Sequence, residues 1–445
     1  MIASPAEAEN AAERIGSRFT VRLRDASPFT FAIFAGLAAF SAYFAMYAFR
    51  RPFAAATFDH VAGWHFVLDY KIALIIAQLV GYASSKIIGV KLISELGHAH
   101  RAAMIIGLIA LSWAALVLFA LVPAPWNILF MFLNGLPLGL IWGLVYSYVE
   151  GRRTSEVIAA LLCSSFILSS GVVKSVGRWL LDDVGVSAFW MPAATGALFF
   201  PMLLISVFGL TLLPQPDAED RAERTPRAPM NASQRRAFMV HHAAALIPLL
   251  IAYVLLTAFR DFRDNFAAEI WLALGYKDVA TMFTASEIPV ALFTLVTLGA
   301  LILVRDNRRA LILIHLAIVV GALVIGASTL AFQWGALGST AWMILAGLGL
   351  YMAYTPFNAI LFDRMIAATR EIGTSGFMIY VADACGYVGS VCLLLLRNFS
   401  TIQLDWLHFF EDTAYATAAV CVIGAAFSAW HFTRPGQRSG EVALA

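Results

Sequence analysis

Charged side chains are scarce in this sequence. Asp, Glu, Lys and Arg together make up 13% of the 445 residues, and hydrophobic residues make up 61%. A soluble domain averages about 25% charged and about 45–50% apolar residues. The composition therefore excludes an ordinary soluble protein and indicates a polytopic membrane protein. The net charge of +2 does not indicate a nucleic-acid partner.

Cysteines and catalytic motifs are also sparse. The chain has four cysteines, all in apolar segments and without metal-ligand spacing: Cys163, Cys385, Cys392 and Cys421. They are expected to be packing residues rather than parts of a disulfide framework or a metal site. The sequence has no HExxH, no GxSxG, no P-loop and no Gly-rich dinucleotide fingerprint. We therefore expect no enzymatic activity, no cofactor and no ATP-driven pumping.

Long apolar segments, in contrast, are abundant. A membrane-spanning helix needs about 20 apolar residues. Twelve segments meet this requirement: 29–58, 67–90, 101–122, 126–149, 156–180, 187–213, 243–272, 279–304, 310–332, 340–363, 374–396 and 409–431. The sequence therefore predicts an all-α membrane protein with twelve transmembrane helices.

The predicted spans fall into two groups of six, separated by the longest polar stretch. This stretch, at 214–242, is rich in charge and proline and is predicted to be a cytoplasmic linker. The predicted domains are therefore an N-terminal segment, a first six-helix bundle, the linker, a second six-helix bundle and a C-terminal tail. Their bounds are 1–28, 29–213, 214–242, 243–431 and 432–445.

Basic residues cluster before the first span and after the even-numbered spans, as at Arg152 and Arg153 or Arg308 and Arg309. By the positive-inside rule, both termini are predicted to be cytoplasmic.

Two sequence patterns recur at corresponding places in the two halves. The stretch AYFAMYAFR in the first span matches AYVLLTAFR in the seventh, which aligns Arg50 with Arg260. Gly135 in the fourth span corresponds to Gly347 in the tenth. Parallel repeats of this kind are typical of transporters built from two pseudo-symmetric bundles.

Arg50 and Arg51 lie deep in the first predicted span. An arginine there costs about 2.5–3.5 kcal/mol, so it usually faces a protein interior or a water-filled cavity. Tyr43, Tyr47 and Arg50 are spaced i, i+4 and i+7, which predicts that they share one helix face and form an anion-binding stripe. The alternative is that both arginines reach the headgroups at the end of the span. The recurrence of an arginine at Arg260 favours the binding site.

Three further cations within the spans are additional candidates for this site. Lys86 lies near the cytoplasmic end of the second span, where reaching the headgroups is the alternative. Lys174 in the fifth span can join an anion site or pair with an acid. Arg263 follows Arg260 in the seventh span, where local pairing of Arg260 with Asp264 is the alternative to ligand binding.

Glu287 and Asp383 are carboxylates within the eighth and eleventh predicted spans. An ionised carboxylate is costly in such a place, so both residues are candidates for proton coupling. The alternative is a salt bridge to Lys174 or Arg263.

This plan resembles the major facilitator superfamily, and within it the organophosphate:phosphate antiporters. Members of that family carry Tyr-x-x-x-Tyr-x-x-Arg-Lys in their first span. Tyr43, Tyr47, Arg50 and Arg51 stand in this pattern, with arginine in place of the lysine.

The resemblance extends to the second and seventh spans. The stretch Gly81-Tyr-Ala-Ser-Ser-Lys86 is similar to the second-span turn of the family, and Arg260 stands at the place of its second phosphate-binding arginine. The resemblance implies that Arg50 and Arg260 clamp a substrate phosphate and inorganic phosphate alternately, with Lys86 lining the cavity. Two departures are the serines in place of the family's fifth-span histidine and a degenerate loop after the second span.

These features predict a secondary active transporter that moves an anionic, and by resemblance phosphorylated, small metabolite by alternating access and exchange. Without an anion the two arginines would repel one another, so a bound anion is expected to ease switching. The alternatives are a proton-coupled carrier using Glu287 or Asp383, and a non-transporting membrane sensor of the same fold. The expected partners are a small-molecule anion and the lipid bilayer, with no nucleic acid. The expected form is a monomer in the bacterial cytoplasmic (inner) membrane.

Overall fold

The chain forms two compact units in the computed structural model, which describes residues 19–95, 100–149, 155–214, 240–369, 375–400 and 405–433. One unit comprises Met1–Phe66 and Ala73–Thr225, and the other comprises Val67–Ile72 and Pro226–Ala445. Within the described ranges the regular structure is helical, with no strand. The predicted linker at 214–242 and the predicted terminal segments at 1–28 and 432–445 lie largely outside these ranges.

Six long helices build the first unit. They are α1 (Pro28–Tyr47), α2 (Tyr70–Glu95), α3 (Arg101–Leu121), α4 (Ile128–Tyr146), α5 (Ser155–Asp182) and α6 (Met191–Thr211). The first residues of α2 group with the second unit. Helix α1 packs against α5 and α6, and α3 packs against α4. The start of α1 is fixed by Pro28 at its first position and by Ser27, whose hydroxyl accepts a hydrogen bond from Thr30 N at 3.1 Å.

The second unit has six long helices and two short ones. They are α7 (Ala243–Asn265), α8 (Ala267–Ala273), α9 (Val279–Ile302), α10 (Asn307–Gln333), α11 (Ser339–Ala359), α12 (Leu361–Thr369), α13 (Ser375–Phe399) and α14 (Trp406–Thr433). Helix α7 packs against α13 and α14, and α11 packs against α9 and α10. Asp278 caps α9 by accepting from Thr281 N and Oγ1 at 3.1 and 2.6 Å. These hydrogen bonds lower the pKa of the Asp278 carboxyl.

Ten of the described helices are long and apolar enough to cross a membrane, and an eleventh span results when the bent pair α11 and α12 counts as one. The remaining long helix is α2, which carries Lys71, Gln78 and Lys86. The prediction of an all-α membrane protein is confirmed, and ten or eleven of the twelve predicted transmembrane helices qualify by length and apolarity within the described residues.

The helix within the first predicted span, 29–58, is shorter than predicted. Helix α1 ends at Tyr47, and a separate 3₁₀ turn covers Pro52–Ala55. Pro52 has no N–H to continue a helix and disfavours helical geometry in the residue before it. The prediction that Arg50 shares a regular helix face with Tyr43 and Tyr47 is therefore wrong, because Arg50 lies beyond the end of α1.

Two other predicted spans are interrupted. The seventh, 243–272, breaks at Phe266, whose φ of −110° and ψ of 22° separate α7 from α8. The tenth, 340–363, bends by 54° between α11 and α12. Pro356 lies in the last turn of α11, where its missing N–H weakens the helix.

Candidate functional site

Arg50 of the first unit lies against aromatic rings. Its side chain is buried, at 6% exposure, three residues after the end of α1. The guanidinium carbon is 3.8 Å from the centroid of the Tyr82 ring and 5.8 Å from that of Tyr47. The rings of Tyr43 and Tyr47 make an edge contact at 5.5 Å. A cation within about 6 Å of an aromatic face is stabilised by the ring's quadrupole.

Lys86 reaches the same tyrosine from α2, with its Nζ 5.4 Å from the Tyr82 ring centroid. The structure thus brings the predicted residues Tyr43, Tyr47, Arg50 and Lys86 into one cluster around Tyr82. We call these five residues the first-unit cluster. It presents two cations and three phenol rings, which are groups able to bind a small anion by charge and by hydrogen bonds.

The other predicted cations of this unit are buried as well. Arg51 is 4% exposed, and Lys174 on α5 is 2% exposed. Helix α5 packs directly against α1. Both residues therefore add positive charge to the interior that surrounds the first-unit cluster.

The carboxylates that the structure describes in the first half of the chain lie at helix ends or between helices. Among the described residues between 28 and 213, the acidic residues occupy helix ends or the segments between helices: Asp59, Asp69, Glu95, Glu156, Asp182 and Asp183. The charged side chains that the structure describes as buried in the first unit are cations: Arg50, Arg51 and Lys174.

Arg260 of the second unit lies on α7 beside a carboxylate. Its Nη2 is 2.8 Å from Asp261 Oδ1, and its Nη1 donates to the Tyr354 hydroxyl. The guanidinium carbon is also 4.5 Å from the Tyr354 ring centroid. The second carboxylate oxygen of Asp261 accepts from Ser390 Oγ at 2.8 Å. The predicted local partner Asp264 is therefore corrected to Asp261, which reaches the Nε and Nη2 edge of Arg260 directly.

Arg263 is held in a buried ion pair with Glu287. Arg263 Nη1 donates to Glu287 Oε1 at 2.6 Å, and Nη2 donates to Met343 O at 3.2 Å. A Cβ at Gly347 would lie 2.8 Å from Nη2, so the glycine makes room for the guanidinium. Of the two alternatives for Glu287, the structure has the salt bridge to Arg263.

Asp383 on α13 has a different neighbour. Its Oδ1 accepts from the Tyr253 hydroxyl at 2.6 Å. The Tyr253 ring stacks on Tyr354 at 5.3 Å, and Tyr354 in turn contacts Arg260. Tyr253, aligned with Tyr43 in the repeat, thus connects Asp383 to the arginine through aromatic hydroxyl groups.

A further ion pair of the second unit involves Lys71 and Glu269, which sequence reasoning did not identify as partners. Lys71 Nζ is 2.5 Å from Glu269 Oε1, and the two side chains are 1% and 8% exposed. The Lys71 ammonium is also 5.3 Å from the ring centroid of Phe266, at the break between α7 and α8. Both residues belong to the second unit, with which the first residues of α2 group.

Sequence reasoning also did not single out Tyr82 or Gln78 of α2, although a signal was present. Gln78, Tyr82 and Lys86 are spaced by four residues, which places them on one face of a helix. A polar and aromatic stripe of this kind in an apolar span indicates a face turned toward protein rather than lipid.

Comparison with known proteins gives the fold and a family. The structure is similar to that of a D-xylose–proton symporter, with a TM-score of 0.59 and 14% identity over 93% of this chain and 99% of that chain. It is also similar to the xylose transporter XylE from E. coli in an inward-open conformation, with a TM-score of 0.57 and 13% identity over 91% and 96%. At this identity the likeness establishes the major facilitator fold. No curated protein sequence matches the chain.

The model of a family of unknown function, DUF5690, matches residues 52–435. This range covers most of both units. The chain therefore belongs to the DUF5690 family and has the fold of the major facilitator transporters.

Proposed function

We propose that this protein is a secondary active transporter of a small anionic metabolite, with phosphate compounds as the leading substrate class. The observation that carries the proposal is the first-unit cluster, in which Arg50 and Lys86 approach the same Tyr82 ring at 3.8 and 5.4 Å. The fold supports transport, and the buried cations Arg50, Arg51 and Lys174 support an anion.

The substrate-binding residues in this proposal are Tyr43, Tyr47, Arg50, Lys86 and Arg260. Arginine suits the role because its planar guanidinium binds phosphate or carboxylate in a bidentate manner. The tyrosine hydroxyls bind the remaining oxygens of the anion. Arg51 and Lys174 add positive charge, while Arg263 is committed to Glu287 at 2.6 Å.

Exchange is the proposed mode of transport, with alternating access to the two sides of the membrane. An anion bound at Arg50 and Lys86, which approach the same Tyr82 ring, offsets the mutual repulsion of these two cations. A bound anion therefore lowers the cost of the conformational change, and an empty carrier switches slowly. The setting is the bacterial cytoplasmic membrane, with both termini cytoplasmic and the protein acting as a monomer.

A proton-coupled carrier that uses Glu287 or Asp383 is the second candidate. One observation favours Asp383 over Glu287 as its coupling residue. Glu287 is bonded to the cationic Arg263, whereas Asp383 accepts a hydrogen bond from the neutral phenol of Tyr253 at 2.6 Å. Because this ion pair holds Glu287, Asp383 is the coupling residue of this second candidate.

The experiment is uptake into proteoliposomes by the purified full-length chain. Vesicles are loaded with inorganic phosphate, with unlabelled glycerol phosphate, or with neutral sugar, and labelled glycerol phosphate or phosphate is added outside. Exchange predicts fast uptake only into anion-loaded vesicles, with loss of uptake in Arg50→Ala.

Other outcomes would replace the proposal. Uptake into anion-free vesicles that follows an imposed pH gradient and is lost in Asp383→Asn would establish the proton-coupled carrier. Binding of the labelled anion without any uptake would indicate a membrane sensor.

A further inference from the structure

The backbone that carries Arg50 is interrupted inside the first unit. After α1 ends at Tyr47, Phe49 N donates to Met46 O and Arg50 N donates to Tyr47 O, each at 3.0 Å and three residues back. Pro52 follows and has no N–H to donate. The break therefore leaves carbonyl groups near Arg50 that need donors from elsewhere, since the surroundings are apolar.

Two side-chain amides from other helices supply these donors. Asn134 Nδ2 of α4 donates to Phe49 O at 2.9 Å, and Gln78 Nε2 of α2 donates to Arg50 O at 2.9 Å. The amides also bond to one another, with Gln78 Nε2 donating to Asn134 Oδ1 at 2.7 Å. Asn134 Nδ2 further donates to Ser112 Oγ of α3 at 2.7 Å. Three helices thus hold two consecutive carbonyl groups at the break.

These amides cannot be replaced by water without rebuilding the unit. Gln78 is 5% exposed, and Asn134 is fully buried. Helices α2 and α4 approach with their backbones in contact, because a Cβ at Gly135 would lie 2.1 Å from Gln78 O and one at Gly81 would lie 2.2 Å from Phe132 O. The two glycines therefore fix the distance across which the amides bond.

Helix α2 holds Arg50 at two points. Gln78 bonds the Arg50 carbonyl, and Tyr82, one turn later on the same helix, lies under the guanidinium at 3.8 Å. The backbone and the charged end of Arg50 are therefore placed by one rigid element. A shift of the backbone at the break would move the guanidinium off the ring.

We propose that Gln78 and Asn134 are positioning residues of the anion site. They hold the Phe49 and Arg50 carbonyls, and through them they fix the Arg50 guanidinium in the first-unit cluster. The role in anion binding rests on the proposed function, whereas the role in placing Arg50 does not. The test therefore has one arm without a ligand and one arm with a ligand.

The arm without a ligand measures hydrogen–deuterium exchange of the amides in residues 45–58. Gln78→Met and Asn134→Leu remove the donors while keeping approximate volume, and Gln78→Glu keeps the shape but replaces the donor with a carboxylate. We expect exchange in this segment to rise by about tenfold or more in these variants, because local opening no longer breaks the two amide bonds. The control is Gln333→Met, which removes a similar glutamine bond, to Glu411 at 2.7 Å, in the second unit. Unchanged exchange in all folded Gln78 and Asn134 variants would overturn the positioning role.

The arm with a ligand measures the Kd of inorganic phosphate and glycerol phosphate by calorimetry. We expect Gln78→Met to weaken binding about tenfold in the wild-type background, since a displaced guanidinium loses bidentate contact. In the Arg50→Ala background the same change is expected to add less than about twofold, because the residue it positions is gone. Equal effects in both backgrounds would contradict action through Arg50. If the wild type binds neither anion, the proposed substrate class fails, and the exchange arm alone decides the positioning role.

Discussion

Residues 42–50 and 252–260 carry the same sequence frame but place their arginines in different surroundings. The frame aligns Tyr43 with Tyr253 and Arg50 with Arg260. The next two residues differ, being Arg51 and Pro52 in one half and Asp261 and Phe262 in the other. In the first unit the helix ends before the arginine, and in the second it continues past it.

These two differences place the repeated arginines in different electrostatic surroundings. Pro52 interrupts the helix, so Arg50 is presented from a turn against Tyr82. Asp261 places a carboxylate 2.8 Å from Arg260, so this arginine is partly neutralised within its own unit. We infer that Asp261 reduces what Arg260 contributes to the binding of an anion.

The largest expected effect is that of Arg50→Ala on anion binding. Removing a desolvated partner of a charge pair costs about 2–5 kcal/mol, so we expect the Kd for a bound phosphate compound to rise by about 100-fold or more. Arg50→Lys keeps the charge but loses the planar guanidinium, so its Kd is expected to lie between those of the wild type and Arg50→Ala. Arg260→Ala is expected to raise the Kd by only about tenfold, because Asp261 already offsets its charge. Calorimetry on the purified variants measures these values, and equal losses at the two arginines would break the comparison.

Glu287→Gln is expected to lower stability rather than alter anion recognition. The change leaves the Arg263 charge buried without its 2.6 Å partner, which costs about 3–5 kcal/mol in unfolding free energy. The matched control is the double variant Glu287→Gln with Arg263→Met, which removes both charges and should recover most of the loss. Thermal unfolding checks both variants. A stable Glu287→Gln protein with abolished uptake would instead assign Glu287 to coupling.

Asp261→Asn is expected to increase the affinity for the anion. Without the carboxylate, Arg260 retains its bond to Tyr354 but gains net charge for a ligand. We expect the Kd for the anion to fall by about threefold to tenfold, in line with the energy of a partly exposed charge pair. Asp182→Asn, which removes the exposed partner of Arg178 at 2.6 Å, is the control and should leave the Kd unchanged. A weaker Kd in Asp261→Asn would contradict the compensated role.

Pro52→Ala is expected to have the smallest effect. Restoring the N–H allows α1 to extend toward the helical path that α7 follows, which would turn Arg50 away from Tyr82. We expect binding to weaken by about threefold, because alanine permits the helix without enforcing it. Pro192→Ala at the start of α6 is the control, since a proline in the first turn replaces no helical hydrogen bond. Tighter binding in Pro52→Ala would show that the break does not serve the site.

Much of the fold could be predicted from the sequence because apolar length alone defines a span. The all-helical membrane fold and the pairing of Arg263 with Glu287, which was one of two alternatives, follow from spacing and composition. The end of the first span was predicted at residue 58, eleven residues after the end of α1 at Tyr47, because hydropathy does not register the loss of an N–H at Pro52. The bend after α11 was not predicted either, because hydropathy does not register the missing N–H of Pro356.

The contacts of the candidate site could be predicted only in part. Spacing along one helix brings Tyr43 and Tyr47 together, but it does not show that Tyr82 from α2 lies under Arg50. The choice of Asp261 over Asp264 as partner of Arg260 depends on side-chain geometry, since both spacings permit a bond. The Gln78 and Asn134 network joins residues 56 positions apart, and long-range contacts of this kind leave no local pattern in one sequence.

The most direct test of the account is thermal stabilisation of the purified protein by a panel of anions. The panel holds inorganic phosphate, glycerol phosphate, sugar phosphates and plain carboxylates, with wild type, Arg50→Ala and Arg260→Ala in parallel. A ligand at about 100 times its Kd stabilises a protein by about 2.7 kcal/mol. The account predicts stabilisation by phosphate compounds that is lost in Arg50→Ala and reduced in Arg260→Ala. No stabilisation of the wild type by any anion, with both variants well folded, would contradict an anion site at Arg50.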